Sequence, residues 1–214
     1  MVAGVCDPSD RIERGLFDTG ARLVAGIDEV GRGAWAGPLT VGIAVVDGYA
    51  LARMPDGVRD SKMLSPKRRE ALEEPLKAAV VAWSVGDVNS RECDSLGMSA
   101  ALVLAAERAF AALSTTVDAV ILDGRVDFAR HTKVVTMPGA DRDCISVAAA
   151  SILAKVHRDR IMTELAKELP GYGFEKSKGY PSPIHVAALE REGLTSEHRL
   201  SWSFASKFRA RSTP

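Results

Sequence analysis

The chain has 214 residues, 46% hydrophobic and 26% charged, the composition of an ordinary globular protein long enough to bury one sizeable core. Its 28 basic and 28 acidic residues cancel, which excludes a protein held to nucleic acid by bulk charge alone but leaves clustered charge free to act locally. No apolar run approaches a membrane span, and an N-terminus carrying Asp7, Asp10 and Glu13 has no signal-peptide pattern.

Residues 1–20 are mixed and polar and are expected to form a short extension ahead of one domain over 21–206, with a tail at 207–214. Leu23–Ile27 is a short apolar strand, and Leu39–Val46 is a richly β-branched one. Ser65-Pro66 is a cap followed by a first-turn proline, so a helix begins there, and Pro75 should end or kink it. Val80–Val88 reads as a strand, and Arg91–Leu113 as helix with a possible break at Gly97. Val117–Leu122 and Lys133–Met137 complete the strands. Ser146–Leu169 is the longest helical pattern, and the small side chains of Ala148–Ala150 would let it lie close against a sheet. The last fifty residues, rich in Gly, Pro, Ser and His, read as loops with one or two short helices. This order predicts a single α/β domain whose mixed sheet opens with a hairpin.

Three cysteines, Cys6, Cys93 and Cys144, have no metal-like pairing and read as free thiols in a reducing compartment, so a cytoplasmic protein is expected. The four histidines, His131, His157, His185 and His198, show no ligand spacing and suit surface or hydrogen-bonded structural roles. Basic residues gather at Lys62–Arg69, Lys155–Arg160 and Lys176–Lys178, each of which is ordinarily a solvated face.

The acids carry more. Asp28-Glu29 follows an apolar strand and precedes Gly31-Arg32-Gly33. Alone, the pair is as well read as an acidic turn; neighbours in a strand point to opposite faces, so both reach one site only where the strand ends and glycine frees the backbone. Asp123-Gly124 likewise ends an apolar strand. Two strands then deliver acids to the carboxyl edge of an α/β sheet, where ligands commonly bind. Asp141 is a candidate fourth acid, with Asp143 beside it as an alternative or as a cap for the long helix. Two carboxylates about 5 Å apart repel by roughly 3 kcal/mol at an effective dielectric of about 20, so such a group needs cations. Hard oxygen donors without a Cys/His cluster point to Mg²⁺ or Mn²⁺. A pair of such ions suits hydrolysis of a phosphodiester.

Five blocks in order, GIDEVGRG (26–33), DSKMLSPKRRE (60–70), ILDG (121–124), AAASILAKVHRDR (148–160) and KGYPSPIH (178–185), resemble bacterial type 2 ribonuclease H, also called ribonuclease HII, over nearly the whole chain. The resemblance implies a ribonuclease H-like fold: a five-stranded mixed sheet flanked by helices, with a helical C-terminal segment. It implies an endonuclease that cuts the RNA strand of RNA·DNA hybrids and nicks duplex DNA at embedded ribonucleotides, leaving 5′-phosphate and 3′-hydroxyl ends; a monomer is expected. By the same resemblance Asp28, Glu29, Asp123 and Asp141 hold two Mn²⁺ or Mg²⁺ ions, with Asp143 the spare and Asp159 an ion-pairing position. The turn Gly31-Arg32-Gly33 approaches the ribose 2′-hydroxyl, Tyr180 packs on that sugar, and Arg32, Ser61, Lys62 and Lys155 are phosphate contacts. A type 3 ribonuclease H is the related alternative; such proteins usually carry a further N-terminal domain, for which residues 1–20 leave no room. Two departures stand out: Ala34-Trp35 follows the turn where the family usually has proline, predicting a less rigid loop, and Gly139 replaces a lysine, removing one basic contact.

Overall fold

In the computed structural model, which describes residues 7–209, the β-branched run Leu39–Val46 is buried along its whole length, as a strand must be when both faces of its sheet are covered. The sheet has five strands, β1 (Val24–Val30), β2 (Leu39–Val46), β3 (Ala82–Val88), β4 (Ala119–Asp123) and β5 (Val134–Met137), in the order β3-β2-β1-β4-β5. The first three pair antiparallel, and β1, β4 and β5 pair parallel. The expected mixed sheet opened by a hairpin is therefore present. Around it and beyond it lie α1 (Arg11–Asp18), α2 (Gly48–Ala52), α3 (Pro66–Ala79), α4 (Ser90–Leu96), α5 (Met98–Ala111), α6 (Ala140–Asp143), α7 (Ile145–Glu168), α8 (Phe174–Ser177), α9 (Pro183–Glu192) and α10 (Ser206–Arg209).

Alternation along β2 divides the core. Val41, Ile43 and Val45 pack with Ala101, Leu102 and Ala105 of α5, whereas Ala44 and Val46 face the α7 side with Ala148–Ala150 and Ile152. Each buried Val or Ile contributes roughly 1.5–3 kcal/mol. α7 lies so close to the sheet that a Cβ at Gly42 of β2 would lie 2.7 Å from the Ala150 carbonyl oxygen, and one at Gly26 of β1 2.2 Å from the carbonyl carbon of Ser146. Gly26→Ala is thus expected to destabilise the fold by about 3 kcal/mol, since neither backbone can retreat; urea denaturation measures it, and an unchanged midpoint would contradict this packing.

The start of α7 is capped from a distance. Cys144 at its N-cap makes no side-chain cap bond; instead Glu13, buried on α1, accepts from the Ser146 N–H at 2.9 Å and from its hydroxyl at 2.7 Å. Asp143, the alternative cap, is exposed. The stretch expected to be a polar extension therefore contains a docked helix, whose Leu16 joins the core.

Three expectations are corrected. The helix from Pro66 passes through Pro75 to Ala79, because Leu76 and Ala79 are buried and the burial outweighs one lost backbone hydrogen bond. β1 does not end before the acids but runs through Asp28 and Glu29 to Val30, paired with Thr40 of β2. The last fifty residues are more ordered than loops: α8, α9, α10 and a 3₁₀ turn, Ser203–Ala205, assemble around Tyr172, Phe174, Leu189, Phe204 and Phe208. Cys93 and Cys144 are free and buried, and burial raises both thiols, Cys144 to about 12; both act as small apolar side chains. Cys6 lies outside the described residues, as does the expected tail beyond residue 209.

Candidate active site

Parallel pairing between β1 and β4 stops at Ile27–Leu122. Beyond that point β1 has β2 on one side only, and Asp28 and Glu29 stand next to Asp123 at the end of β4. The sheet order thus brings the acids together even though β1 continues. Asp28 is buried, its Oδ1 accepting from the Glu29 N–H at 2.8 Å. Asp123 Oδ1 accepts from the Ala140 N–H at 2.8 Å, which ties β4 to the start of α6. That contact turns Asp141 inward, where it is buried, while Asp143 faces solvent.

The electrostatics agree with the grouping. Burial first, then the charges of Glu29, Asp123 and Asp141, push the Asp28 carboxyl up to about 8, although a hydroxyl of Ser151 works the other way. Asp141 is raised to about 6 by burial and by Asp60 and Asp123. Glu29 is raised by burial and Asp123, against the opposing guanidinium of Arg32 at 3.4 Å. Among the described residues no three acid, His or Cys side chains are already drawn into a cage around one point. The fit to cations rests instead on the donors: four all-oxygen carboxylates at one edge of the sheet, of which Asp28, Glu29 and Asp141 are raised by burial and by neighbouring negative charge.

The turn that follows is held by buried arginines. Gly31 has φ +86°, and a Cβ there would lie 2.3 Å from Arg158 Nε and 2.5 Å from the Pro38 carbonyl oxygen. Gly33, expected to share this role, has no positive φ and ample space. Arg199 donates to the carbonyls of Arg32 at 2.8 Å and Gly31 at 2.6 Å. Arg158 donates to the carbonyls of Pro38, Ala36 and Lys178 and lies over the Tyr180 ring, 5.4 Å from its centroid. The Tyr180 hydroxyl accepts from the Gly31 N–H at 3.0 Å. The loop expected to be less rigid is anchored: Trp35 stacks on Phe204 with centroids 4.2 Å apart, and its backbone N–H donates to the Gly179 carbonyl at 2.8 Å.

Gly31, Arg32, Gly33, Ser61, Lys62, Lys155 and Tyr180 all line one cleft of about 370 Å³ with Asp28 and Glu29. Asp123 opens into an adjoining cleft that shares Arg32. The side chains differ in what they can offer. Lys62 is largely exposed, with its ammonium 3.6 Å from Asp141. Ser61 is buried and accepts from the Ser151 hydroxyl at 2.8 Å. Lys155 is paired with Asp159 at 2.5 Å, and Arg69 bridges Asp159 to the carbonyls of Ser61 and Leu64. At Gly139 a cation is present by another route, since a Cβ there would lie 2.3 Å from the guanidinium of Arg142.

Sequence reasoning passed over Asp60, a buried acid whose Oδ1 accepts from the Lys62 N–H at 2.9 Å and whose charge raises Asp141. Arg158 and Arg199 carried no mark either: Arg158 sits in the basic run Lys155–Arg160, where an arginine looks solvated, and Arg199 stands as a lone cation between His198 and Leu200. Their burial against backbone carbonyls leaves no periodic signal.

The family model described as ribonuclease HII matches residues 25–205. Ribonuclease HII of Streptomyces griseus is 52% identical over 202 residues, covering 92% of this chain and 84% of that protein. The crystal structure of ribonuclease H2 from Pyrococcus horikoshii superposes with a TM-score of 0.74 at 31% identity, covering 88% of this chain and 98% of that one. Bst ribonuclease HIII in complex with Mn²⁺ shares the fold, with a TM-score of 0.69 at 22% identity over 89% of this chain and 70% of that chain.

Proposed function

The chain belongs to the ribonuclease HII family and is a ribonuclease H; from that premise we propose that it hydrolyses the RNA strand of RNA·DNA hybrids and nicks duplex DNA at embedded ribonucleotides, with Asp28, Glu29, Asp123 and Asp141 holding two Mg²⁺ or Mn²⁺ ions. The observation that carries the reading is the shared cleft: the acids Asp28 and Glu29, the turn from Gly31 to Gly33, and Tyr180 face one space. When bound, such ions supply a deprotonated water at neutral pH and offset charge on the departing oxygen. The chain's own groups do the selecting. The Gly31-Arg32-Gly33 backbone can approach a ribose closely, and Tyr180, whose hydroxyl accepts from the Gly31 N–H, lies beside that turn to pack on the sugar. This is where a 2′-hydroxyl distinguishes RNA from DNA. Lys62 and Arg32 present exposed cations to phosphates, with Ser61 and Lys155 deeper in the cleft. We assign the catalytic domain to residues 21–206, with α1 docked on it.

Among the described residues no helix is long and apolar enough to cross a membrane. The free, buried thiols suit a reducing compartment, and we assign the enzyme to the cytoplasm, acting as a monomer.

The direct test is a duplex with one ribonucleotide, incubated with Mg²⁺ or Mn²⁺ and with EDTA. A metal-dependent nick leaving 5′-phosphate and 3′-hydroxyl ends is expected; binding without nicking at any metal concentration would overturn the assignment.

The acids also predict a pH signature. Asp28 and Asp141 have folded pKa values raised above the ordinary 3.8, so their contribution to stability is fully present below that value and is lost as pH rises towards about 6 and then about 8. Bound cations reverse this by stabilising the ionised forms. The rise in Tm on adding Mn²⁺ is therefore expected to be larger at pH 8 than at pH 5. Calorimetry giving an equal rise at both would contradict the site.

A further inference from the structure

A fully buried histidine pair lies behind Tyr180, outside the acid cluster. His185 on α9 and His198 are buried, and their Nε2 atoms are 3.1 Å apart. Their neighbours fix where each proton sits. The Thr195 backbone N–H points at His198 Nδ1 from 3.0 Å, joined by the Thr195 hydroxyl at 2.9 Å. A backbone N–H can only donate, so Nδ1 accepts and a neutral His198 carries its proton on Nε2. That N–H donates to Nε2 of His185. The remaining proton of His185 is then on Nδ1, which donates to the Tyr180 carbonyl 3.0 Å away. The bonds run one way, from Thr195 to Tyr180. Burial lowers both imidazoles, His198 to about 4, so the neutral forms that this wiring requires are the ones present at neutral pH.

The same short segment also reaches the glycine turn. Arg199, next after His198, donates to the carbonyls of Gly31 and Arg32, and its N–H donates to the Trp35 carbonyl at 2.8 Å. Tyr172 and Phe174 wall in both rings, with centroids 5.2–6.4 Å away. Thr195–Arg199 therefore ties the tyrosine through two rings and the glycine turn through one guanidinium.

We propose that His185 and His198 are positioning residues, which set where Tyr180 meets the sugar and hence how strongly the enzyme prefers a ribonucleotide. This rests on the reading of Tyr180 and the Gly31–Gly33 turn as the ribose-sensing elements. Neither histidine touches the cleft, so their effect passes through the Tyr180 backbone.

The full chain tests this with His185→Asn, whose amide N–H takes the place of Nδ1–H, and His185→Leu, which fills the space without a donor. The readout is the Kd for an all-DNA duplex divided by the Kd for the same duplex with one ribonucleotide, by fluorescence anisotropy with Ca²⁺. His185→Leu is expected to lower this ratio about tenfold, the scale of one positioning hydrogen bond, and His185→Asn to recover most of it. A merely structural role would weaken both duplexes alike and leave the ratio unchanged. An unchanged ratio in His185→Leu, with a lowered one in Tyr180→Ala, overturns the positioning role and leaves the ribose reading intact. An unchanged ratio in Tyr180→Ala overturns both. Should His185→Leu fail to fold, ¹⁵N NMR of the wild-type imidazoles decides: Nδ1–H on His185 and Nε2–H on His198 support the wiring, and the opposite tautomer on either ring overturns it.

Discussion

Asp28→Asn is expected to lower nicking at a ribonucleotide by about a thousandfold, the scale seen when a central electrostatic group of an active site is removed. It is also expected to leave the protein folded and more resistant to denaturation at pH 8. Both effects have one cause. Asp28 is buried among four acids that share charge, and its carboxyl is pushed to about 8 by burial and by Glu29, Asp123 and Asp141. Asparagine keeps the size and the oxygen that accepts from the Glu29 N–H but removes the charge. The stabilisation should fade towards pH 5, where the wild-type carboxyl is already protonated. Single-turnover nicking and thermal unfolding at the two pH values check the pair. A variant that lost activity and stability together would show Asp28 to be a structural acid instead. The expected trade of stability for activity is common at sites built from repelling groups.

Gly31→Ala should be nearly as damaging for a different reason. The residue occupies left-handed backbone, and an added Cβ would strike both Arg158 and the Pro38 carbonyl. The arginine cannot move aside freely, because it also holds the carbonyls of Ala36 and Lys178 and lies over Tyr180. The substitution should displace the turn and the tyrosine together, and a misplacement of about 1 Å can cost about a hundredfold in rate. A fall of that size in kcat/KM is expected. Gly33→Ala, whose added Cβ would have its nearest neighbour, a ring carbon of Tyr180, 4.0 Å away, should stay folded and lose far less. Equal losses in the two variants would mean that the turn is read by side-chain-free access alone and not by its fixed conformation.

What was legible in the sequence follows from where the physical signal is local. The strand Leu39–Val46 was visible to the residue because β-branched side chains buried on both faces leave a continuous apolar run. Ser65 and Pro66 marked the start of α3 because capping is decided within four residues. The small stretch Ala148–Ala150 announced close packing, which the approach of Ala150 to Gly42 bears out. Signals that depend on distant partners were hidden. Glu13 looked like part of a polar extension because its partner, Ser146, is 133 residues away. Pro75 looked like a helix end because the buried faces of Leu76 and Ala79 are not evident from the proline itself. The histidines looked scattered because thirteen residues of chain separate two rings that meet in space. Arg158 and Arg199 were hidden most completely, since charge usually signals solvent and these two grip backbone carbonyls instead. Among the acids, Asp141 was placed only by its offset within a family likeness, and the bond from Ala140 to Asp123 gives the local reason why it turns inward.

The central proposal is a metal-dependent cut made only where a 2′-hydroxyl meets the Gly31–Gly33 turn and Tyr180. The most direct measurement compares two duplexes identical except for a single 2′-hydroxyl, cut by the wild-type chain and by Tyr180→Ala at saturating Mn²⁺. The expected result is that wild type nicks only the duplex with the ribonucleotide, and that Tyr180→Ala nicks it more slowly and with reduced selectivity. Equal nicking of the all-DNA duplex by the wild-type chain would contradict it.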